Sequence, residues 1–455
     1  MRNLTYLILV CLCCACVGCK KYLEAKPDEA LTLLSDNLEA VQLLLDNTTV
    51  MNTQYPAANL LASDDVQISD ETWQNLYQRS IVSANAYIWE TDLYNASDNN
   101  DWSLPYVTVF YANLALESLD AGNNALRPAS EKTNMRGQAL FFRAFAYYQL
   151  LQQFARAYNP QTANTDLGIV LRPTASIGDA SQRATVAACY EQLRRDFEEA
   201  AALLNVSQIY KTRPNKGAAF AMLAKVYLLM NRFAEASAAV ETALQLDGAL
   251  MDYNEITDIN TNPFERFNEE VLFHASLINI TGVIYPNVAA SLDLYRLYTA
   301  NDLRKELFFN YKDEADIEFK GSYVGGGLNA QFGGISNNEL YLLAAECAIR
   351  TGQFEKGMNW LNHLLRRRYV QGTFEPLMIR DPKEALETIL IERRKELPFR
   401  NIRWADRKRL LFEPGWNVNI MRTVAGRNFT LNMEEDYLFE IPRKVIDLGG
   451  IEDNK

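Results

Sequence analysis

Histidine is nearly absent from this sequence, and positive charge is in the minority. The chain has 2 histidines, His274 and His363, which disfavours metal sites and catalytic relays that draw on several imidazoles. It has 45 lysines and arginines against 57 aspartates and glutamates, for a formal net charge of −12. An acidic chain lacks the basic surface that binds phosphate backbones, so we expect no nucleic-acid partner.

Glycine and proline are also scarce, at 21 and 14 in 455 residues. This disfavours an all-β fold, which needs many turns. Hydrophobic residues make up 48% of the chain and charged residues 22%, which is ordinary globular composition. Aromatic residues make up 11%, and 23 of them are tyrosines. The composition predicts an acidic, aromatic-rich and mostly helical globular protein.

Five of the seven cysteines lie within the first 19 residues. Arg2 precedes an apolar run from Leu4 to Val17, which suits the hydrophobic region of a secretory signal and is short for a membrane-spanning helix. Small residues stand directly before Cys19, although Cys16 occupies a position where lipoprotein signals usually have leucine. The pattern predicts a lipoprotein signal peptide over residues 1–18, cleaved before Cys19, and acylation of Cys19. Plain secretion and a cytosolic protein are the alternatives.

The remaining cysteines, Cys189 and Cys347, each lie inside an apolar helical pattern, so we expect buried free thiols. No later stretch approaches 18 consecutive apolar residues. The sequence therefore predicts a mature chain that is soluble but tethered through its lipid.

The chain repeats a helical hairpin whose spacing resembles the tetratricopeptide (TPR) unit. The clearest copy runs from Gly217 to Leu246 with a turn at Asn231, and a second copy follows Tyr341 with a turn at Gly352. A third pairs residues 135–154 with 186–204, and a fourth joins residues 29–45 to 105–119. The predicted TPR-like helices lie at about 29–45, 105–154, 186–246 and 337–368.

The segments between these helices have little helical periodicity. They are rich in Asn, Asp, Gly, Ser, Tyr and Trp, and they cover about 46–104, 247–336 and 402–455, ending in a strand-like stretch at Tyr437–Pro442. Loops this long in a compact domain are usually functional or structured by packing. We predict a mostly α fold: TPR-like hairpins that form an α superhelical scaffold, with an irregular, loop-rich second lobe, in a single domain over residues 19–455.

Several short motifs occur in an order that resembles the SusD/RagB family of nutrient-uptake lipoproteins from Bacteroidetes outer membranes. In chain order they are Tyr22-Leu23-Glu24, Ser63-Asp64-Asp65, Tyr87 with Trp89, Arg136–Phe145, Lys216–Ala219, Asn301–Arg304, Glu339–Leu342, Glu392–Leu397 and Arg403–Asp406. The resemblance implies a surface-exposed outer-membrane lipoprotein that captures oligosaccharides or peptides and acts as a lid on a TonB-dependent transporter of the SusC type. Lys20-Lys21 and the C-terminal end depart from the family pattern.

Aromatic side chains among polar ones are the candidate ligand contacts, because ring faces stack on sugar rings while Asn, Asp, Gln and Arg bond the hydroxyls. The first stretch runs from Trp73 to Trp102, in which Tyr87, Trp89 and Trp102 are interpreted as packing. The second runs from Tyr285 to Tyr323 and also contains Tyr295 and Tyr311. The predicted ligand-binding residues are Trp73, Tyr77, Tyr94, Tyr285, Asn287, Tyr298 and Tyr323.

We expect no enzymatic activity, metal or cofactor. Glu392 and Glu396 stand so close to arginines in one helix that intramolecular ion pairs are the favoured interpretation over an acid/base pair. A glycoside hydrolase would need two carboxylates ~5–10 Å apart in a cleft, which nothing in the sequence suggests. The main alternative is a TPR-type scaffold lipoprotein that mediates protein–protein contacts in the cell envelope. An exposed aromatic cluster lining a concavity would favour ligand capture, and a bare helical groove would favour the scaffold.

Overall fold

The computed structural model describes residues 37–454, apart from 95–99, 122–127, 177, 179–180, 260–261, 279–286, 327–329 and 434–436. The helices of this part of the chain are α1 (Leu38–Leu45), α2 (Thr48–Met51), α3 (Ala58–Ala62), α4 (Asp70–Arg79), α5 (Ile81–Ile88), α6 (Asn100–Ala121), α7 (Ala129–Phe154), α8 (Val186–Leu203), α9 (Lys216–Leu229), α10 (Phe233–Leu246), α11 (Leu292–Tyr295), α12 (Arg304–Phe308), α13 (Asn337–Arg350), α14 (Phe354–Leu365), α15 (Pro382–Glu396), α16 (Ile402–Arg409) and α17 (Arg443–Gly449), with a 3-10 turn at Tyr253–Glu255.

The strands are short and form two-stranded antiparallel pairs. They are β1 (Val66–Gln67) with β5 (Ala289–Ala290), β2 (Leu167–Val170) with β3 (Arg183–Thr185), β4 (Val271–Phe273) with β8 (Ile335–Ser336), β6 (Phe309–Asp313) with β7 (Asp316–Phe319), and β9 (Ile420–Val424) with β10 (Arg427–Leu431). The mostly α architecture predicted from the sequence is confirmed.

The two clearest helical hairpins have the predicted turns. Helix α9 begins after Asn215, whose side chain accepts a hydrogen bond from the amide of Ala218 at 2.8 Å. It ends before Asn231, which has a φ of 59°. Gly352 has a φ of 78° at the matching position between α13 and α14. Both residue types tolerate this left-handed conformation, so the chain reverses there and the helices of each pair lie against each other.

Close approach of α13 and α14 depends on a residue without a side chain. A Cβ atom at Gly357 would lie 2.8 Å from Cδ1 of Ile349 and 3.0 Å from the carbonyl oxygen of Ala345. Glycine therefore lets the second helix pack closely onto the backbone of the first.

The remaining helices of the scaffold surround α7. Helix α7 lies between α6 and α8, and α1 packs on α6, which matches the third and fourth predicted pairs. The Arg143 guanidinium of α7 contacts both carboxylate oxygens of Asp196 on α8, at 2.6 and 2.8 Å, and donates to Asn113 of α6 at 3.0 Å. Phe141 and Phe145 of α7 meet Phe273 of β4 edge-on, at 4.9 and 5.3 Å between ring centroids, so the scaffold shares its core with the second lobe.

The second lobe is more regular than the sequence suggested. The described part of residues 46–104 contains helices α2 to α5 and the first turn of α6, and the C-terminal region contains the hairpin β9–β10. The predicted strand at Tyr437–Pro442 is wrong, because this segment has no strand partner and its side chains fill the core instead. The ring of Tyr437 stacks on Trp404 at 3.8 Å between centroids, and its hydroxyl donates to the carbonyl oxygen of Trp404.

Ion pairs fasten the segment before β1 to helices α15 and α16. Asp64 accepts from Arg403 at 2.8 Å and from Arg407 at 3.2 Å, while Asp65 accepts from Arg394 at 2.7 Å. Burial favours the neutral acid, but the guanidinium of Arg403, with those of Arg394 and Arg407, holds the pKa of Asp64 well below its usual range. The carboxylate of Asp64 therefore stays charged where the segment before β1 meets helices α15 and α16.

Candidate functional site

Helix α4 is polar along most of its surface, and its two buried residues are Trp73 and Leu76. Ser69 caps its N-terminus by accepting from the amide of Thr72 at 3.2 Å. With so few apolar residues, the helix has one narrow face in the core. Its other faces present amide side chains and one aromatic ring to solvent.

Trp73 and Tyr77 lie one helical turn apart on α4 and contact each other. Their ring centroids are 5.6 Å apart at an interplanar angle of 44°. Trp73 is only 8% exposed, and its indole N–H donates to the carbonyl oxygen of Ala84 at 3.1 Å, so the ring is held in place. Tyr77 is 49% exposed. The pair therefore consists of a fixed indole and a phenol ring with a face open to solvent.

This pair lies in a concavity of about 720 Å³, which we call the ligand groove. It is lined by Trp73, Gln74, Asn75, Tyr77, Gln78, Ile81, Asn85, Ile88, Glu90, Asp92 and Arg427. Amides, carboxylates and a guanidinium thus surround two aromatic rings and two aliphatic side chains. Such a mixture of apolar surface and directed polar groups is typical of sites that bind sugars or peptides.

Asn85 holds the part of the groove wall that follows helix α5. Its side-chain amide donates to the carbonyl oxygens of Asp92 at 3.1 Å and Leu93 at 3.2 Å, which folds the following loop back onto α5. Trp89 follows the last residue of helix α5 and has a φ of 58°. Its indole N–H donates to the carbonyl oxygen of Ala62 at 2.9 Å. These hydrogen bonds fix the loop that carries Glu90 and Asp92.

The hairpin β9–β10 supplies the one groove residue that comes from the C-terminal region, Arg427. Its two-residue turn has φ values of 49° at Ala425 and 72° at Gly426. The amide of Ala425 donates to Asp70 Oδ1 at 2.9 Å, so the hairpin tip is tied to the first residue of α4. Arg427 therefore reaches the groove from a turn that is anchored to the same helix as Tyr77.

Arg422 holds the other end of that hairpin. Its guanidinium is buried and donates to the backbone carbonyl oxygens of Leu61, Ser63 and Tyr87. Because burial removes it from water, the pKa of Arg422 falls to about 10, so the group is still charged at neutral pH. Neither Arg422 nor Arg427 was predicted from the sequence. The partners of Arg422 lie more than 300 residues away, and Arg427 lines the groove with residues 73–92, so nothing local marks either arginine.

Three predicted ligand contacts lie in the core, which corrects the interpretation of these residues as exposed rings. Tyr94, Tyr298 and Tyr323 are 3%, 2% and 0% exposed. The hydroxyl of Tyr94 accepts from Gln153 at 3.3 Å, and that of Tyr298 donates to the carbonyl oxygen of Lys395 at 2.7 Å. With every ring face covered by protein, none of the three offers a face on which a ligand could stack.

Tyr323 belongs to a buried polar network. Its hydroxyl donates to Glu270 at 2.6 Å and pairs with the hydroxyl of Tyr253 at 2.8 Å. The Arg400 guanidinium lies over its ring at 4.1 Å. Burial, with the negative charge of Glu270 beside it, raises the pKa of Tyr323 far above its usual range, so the phenol stays neutral and acts as a hydrogen-bond donor.

The other predicted contacts are placed as follows. Asn287 is half-buried, two residues before β5. Gln67 pairs with Ala289 in antiparallel register. Asn287 therefore lies near the end of β1 from which the chain continues into α4. Tyr285 and Cys19 lie outside the described residues. Trp73, Tyr77 and Asn287 therefore remain the candidate contacts of the original set.

A second aromatic pair joins the end of helix α11 to strand β6 and is partly exposed. The rings of Tyr295 and Tyr311 are stacked, with centroids 5.0 Å apart and an angle of 18° between planes. Tyr311 is 46% exposed, and the ammonium of Lys305 lies over the other ring at 4.7 Å. The turn of the hairpin β6–β7 contacts β1, since Gln67 donates to the carbonyl oxygen of Glu314 at 2.8 Å.

The carboxylates of α15 form intramolecular ion pairs, as predicted. Arg304 is fully buried and contacts Asp302, Glu392 and Glu396, at 2.7, 2.6 and 3.0 Å. Glu396 also accepts from Arg368 at 2.9 Å. Although burial favours the neutral acid, the charges of Arg368 and Arg304 hold the pKa of Glu396 below its usual value. These acids therefore pair with arginines inside the fold.

In the part of the chain that the structure describes, no group of three or more His, Cys, Asp or Glu side chains is arranged to hold a metal ion. No helix in the same part of the chain is long and apolar enough to cross a bilayer.

Residues 21–228 match the family model SusD-like_3, which is described as "Starch-binding associating with outer membrane". Among solved structures, a putative sugar binding protein from Bacteroides vulgatus ATCC 8482 is 22% identical, with 92% of this chain and 98% of that chain covered and a TM-score of 0.74. A SusD superfamily protein from Bacteroides thetaiotaomicron VPI-5482 is 20% identical, with 92% and 100% covered and a TM-score of 0.74.

A SusD-like carbohydrate binding protein from Bacteroides vulgatus ATCC 8482 is 17% identical, with 91% of this chain and 96% of that chain covered and a TM-score of 0.66. No curated protein matches the chain by sequence. The resemblance to SusD-like proteins is thereby confirmed, by the family model over residues 21–228 and by the fold over about nine-tenths of the chain.

Proposed function

We propose that this SusD-like chain is a lipid-anchored, non-enzymatic outer-membrane protein that binds oligosaccharides in the ligand groove and passes them to a TonB-dependent transporter of the SusC type. The observation that carries the ligand part is Tyr77, a half-exposed ring held beside Trp73 in a groove with amide walls. A ring face stacks on the C–H-rich face of a sugar, and the amides bond its hydroxyls.

The choice of glycan over peptide rests on two further supports. The family model is described as starch-binding, and two of the similar structures are named as sugar or carbohydrate binding proteins. The groove also offers amide side chains at Gln74, Asn75 and Gln78, which can both donate to and accept from hydroxyl groups.

Calorimetric titration of the chain from residue 20 onward tests this choice. We expect saturable binding of starch-derived oligosaccharides and none of peptides of similar size. Saturable binding of peptides alone would replace the glycan with a peptide ligand at the same groove. Absence of heat with both sets would contradict ligand capture by the isolated chain.

The anchor is proposed at Cys19, from the lipoprotein signal in the sequence. A diacyl anchor at this residue would keep the folded body at the membrane, because each buried methylene adds ~0.8 kcal/mol. We expect the wild-type chain in the outer-membrane fraction and Cys19→Ala in the soluble fraction of cells. Mass spectrometry of the mature N-terminus should find the acyl groups on Cys19.

The proposed transfer of ligand to a transporter is supported only by the resemblance to SusD-like proteins. Co-purification from detergent-solubilised outer membranes tests it, with a TonB-dependent barrel of the SusC type as the expected partner. Recovery of the chain without any TonB-dependent barrel would contradict the transfer step and leave the ligand groove to be tested separately.

A scaffold lipoprotein is the second candidate function, favoured by an open hollow of about 750 Å³ on the TPR-like face. Phe354, Trp360 and His363 line this hollow, and Phe354 is 36% exposed. If neither sugars nor peptides bind, and envelope proteins are captured through this face, the scaffold becomes the function. Phe354→Ala would then reduce capture, whereas Tyr77→Ala would not.

A further inference from the structure

A second groove, of about 460 Å³, lies between α6, β2 and the C-terminal helix α17. It shares no lining residue with the ligand groove. Its lining residues are Trp102, Ser103, Tyr106, Val109, Phe110, Val170, Arg172, Thr174, Ser176, Ser181, Lys444, Val445, Leu448, Gly449 and Ile451. We call it the terminal groove.

The floor of the terminal groove is apolar even where its residues carry polar atoms. The hydroxyl of Tyr106 donates to the carbonyl oxygen of Val170 at 2.9 Å and accepts from the amide of the same residue at 3.1 Å. The phenol is thus satisfied by backbone, and its ring presents hydrocarbon to the groove. Trp102 and Phe110 extend the same surface along α6.

Among the described residues, two cations and no carboxylate line the terminal groove, in a chain whose formal net charge is −12. Arg172 is set in place through its backbone, since its amide donates to the hydroxyl of Tyr147 at 2.7 Å and its carbonyl oxygen accepts from Asn113 at 2.8 Å. Its guanidinium donates to the hydroxyl of Ser181, a neutral group that leaves the positive charge in the groove lining uncompensated by this contact. Lys444 is exposed at the start of α17. The polar part of the groove therefore favours an anion.

Helix α17 forms the remaining wall and has no buried residue of its own. Val445 is half-buried, and Leu448 is 81% exposed although it lines the groove. An apolar ligand along the floor would bury the side chain of Leu448 and give helix α17 an apolar contact. The groove thus combines an apolar floor, two cationic side chains and an apolar helix wall. Most of the surface of that helix is exposed to solvent.

We propose that the terminal groove binds a single-chain anionic amphiphile. The carboxylate or other anionic headgroup would contact Arg172 and Lys444, and the alkyl chain would lie between Tyr106 and Phe110 on the floor and Val445 and Leu448 on the helix. This site is independent of the ligand groove, so its failure would leave the proposed glycan binding unaffected.

Calorimetric titration of the chain from residue 20 onward with dodecanoate, below its micelle concentration, tests the proposal. We expect saturable binding near one molecule per chain. Decanoate should bind about tenfold more weakly, because two fewer methylenes are buried. Dodecyltrimethylammonium, which has the same tail and the opposite charge, should bind at least about tenfold more weakly than dodecanoate.

The exposed neighbours Lys444 and Arg443 give a matched pair of variants. Lys444→Glu should weaken dodecanoate binding about tenfold, whereas Arg443→Glu makes the same charge change at the neighbouring position outside the lining and should change it less than about twofold. Leu448→Ser should weaken binding several-fold without changing the circular dichroism spectrum, because Leu448 is largely exposed.

Equal binding of the cationic and anionic amphiphiles, or an equal effect of the two charge reversals, would overturn the proposal. Sedimentation with lipid vesicles distinguishes binding of a single amphiphile from binding to a lipid surface. Sedimentation with phosphatidylglycerol vesicles in the absence of any binding to monomeric dodecanoate would also overturn it, because the chain would then recognise a surface instead of a single molecule.

Discussion

The guanidinium of Arg422 lies over the ring of Tyr87, 4.0 Å from its centroid, although the two residues are 335 positions apart in the chain. It also lies 4.6 Å from the centroid of Trp89. A cation on the faces of two rings, with its N–H groups on backbone carbonyl oxygens, is a strong and directional contact. Through it, the C-terminal hairpin that carries Arg427 is fixed to the segment that forms one wall of the ligand groove.

Removal of this contact should destabilise the protein. Arg422→Ala leaves the carbonyl oxygens of Leu61, Ser63 and Tyr87 without their buried donor. We expect a loss of about 2 to 3 kcal/mol in the free energy of unfolding, measured with urea.

Arg427→Ala is the matched control for that experiment, since Arg427 is exposed on the same hairpin. Its free energy of unfolding should stay within about 0.5 kcal/mol of wild type. Equal stability of the two variants would contradict the anchoring role of Arg422.

The buried ionic network should tolerate the loss of a partner poorly. Arg304→Met removes the cation that contacts Asp302, Glu392 and Glu396 and leaves buried anions with fewer partners. We expect a loss of about 3 to 5 kcal/mol in the free energy of unfolding. Arg296→Met breaks the exposed pair with Glu314 and should cost less than about 1 kcal/mol. Similar losses in both variants would contradict the larger contribution expected of the buried ion pairs.

His274 should make stability fall in mild acid. Burial, with the charge of Arg266 as a second cause, lowers the pKa of His274 to about 4 in the folded chain, below the value near 6.5 of an exposed histidine. The unfolded chain therefore takes up the proton first. The stability contributed by neutral His274 is complete above pH ~6.5 and is lost as the pH falls towards ~4.

This loss amounts to about 3 kcal/mol across that window. Urea unfolding at a series of pH values measures it, with His274→Gln as the comparison, because carboxylate titration is common to both chains. The variant should lose less stability between pH ~6.5 and ~4 than wild type does. Parallel pH profiles would contradict the lowered pKa.

The scaffold was predictable from the sequence because its signals are local. Gly217–Leu246 has the spacing of a TPR-like hairpin, and the structure has α9 and α10 at Lys216–Leu229 and Phe233–Leu246. Asn231 and Gly352 marked the turns through their tolerance of positive φ. The ion pairs of Glu392 and Glu396 followed from the density of arginines around them.

The candidate site was predictable only in part. Trp73 and Tyr77 were predicted as contacts from the aromatic and polar composition of their segment, whereas helix α4, which brings their rings together, was not predicted. Tyr298 and Tyr323 have the same composition of neighbours but are buried. Tyrosine combines an apolar ring with a polar tip, so a stretch without clear periodicity does not show which face it turns to solvent. Arg427 depends on long-range pairing that no local pattern reveals.

Calorimetric titration of Tyr77→Ala with the starch-derived oligosaccharide that binds wild type best tests the central claim most directly. Tyr210→Ala, which removes another exposed tyrosine outside the groove lining, is the control. Loss of a stacking ring should weaken binding at least about tenfold in Tyr77→Ala, since such contacts are worth ~1 kcal/mol or more beyond the area they bury. Tyr210→Ala should bind like wild type. Unchanged affinity in Tyr77→Ala would contradict sugar binding in the ligand groove.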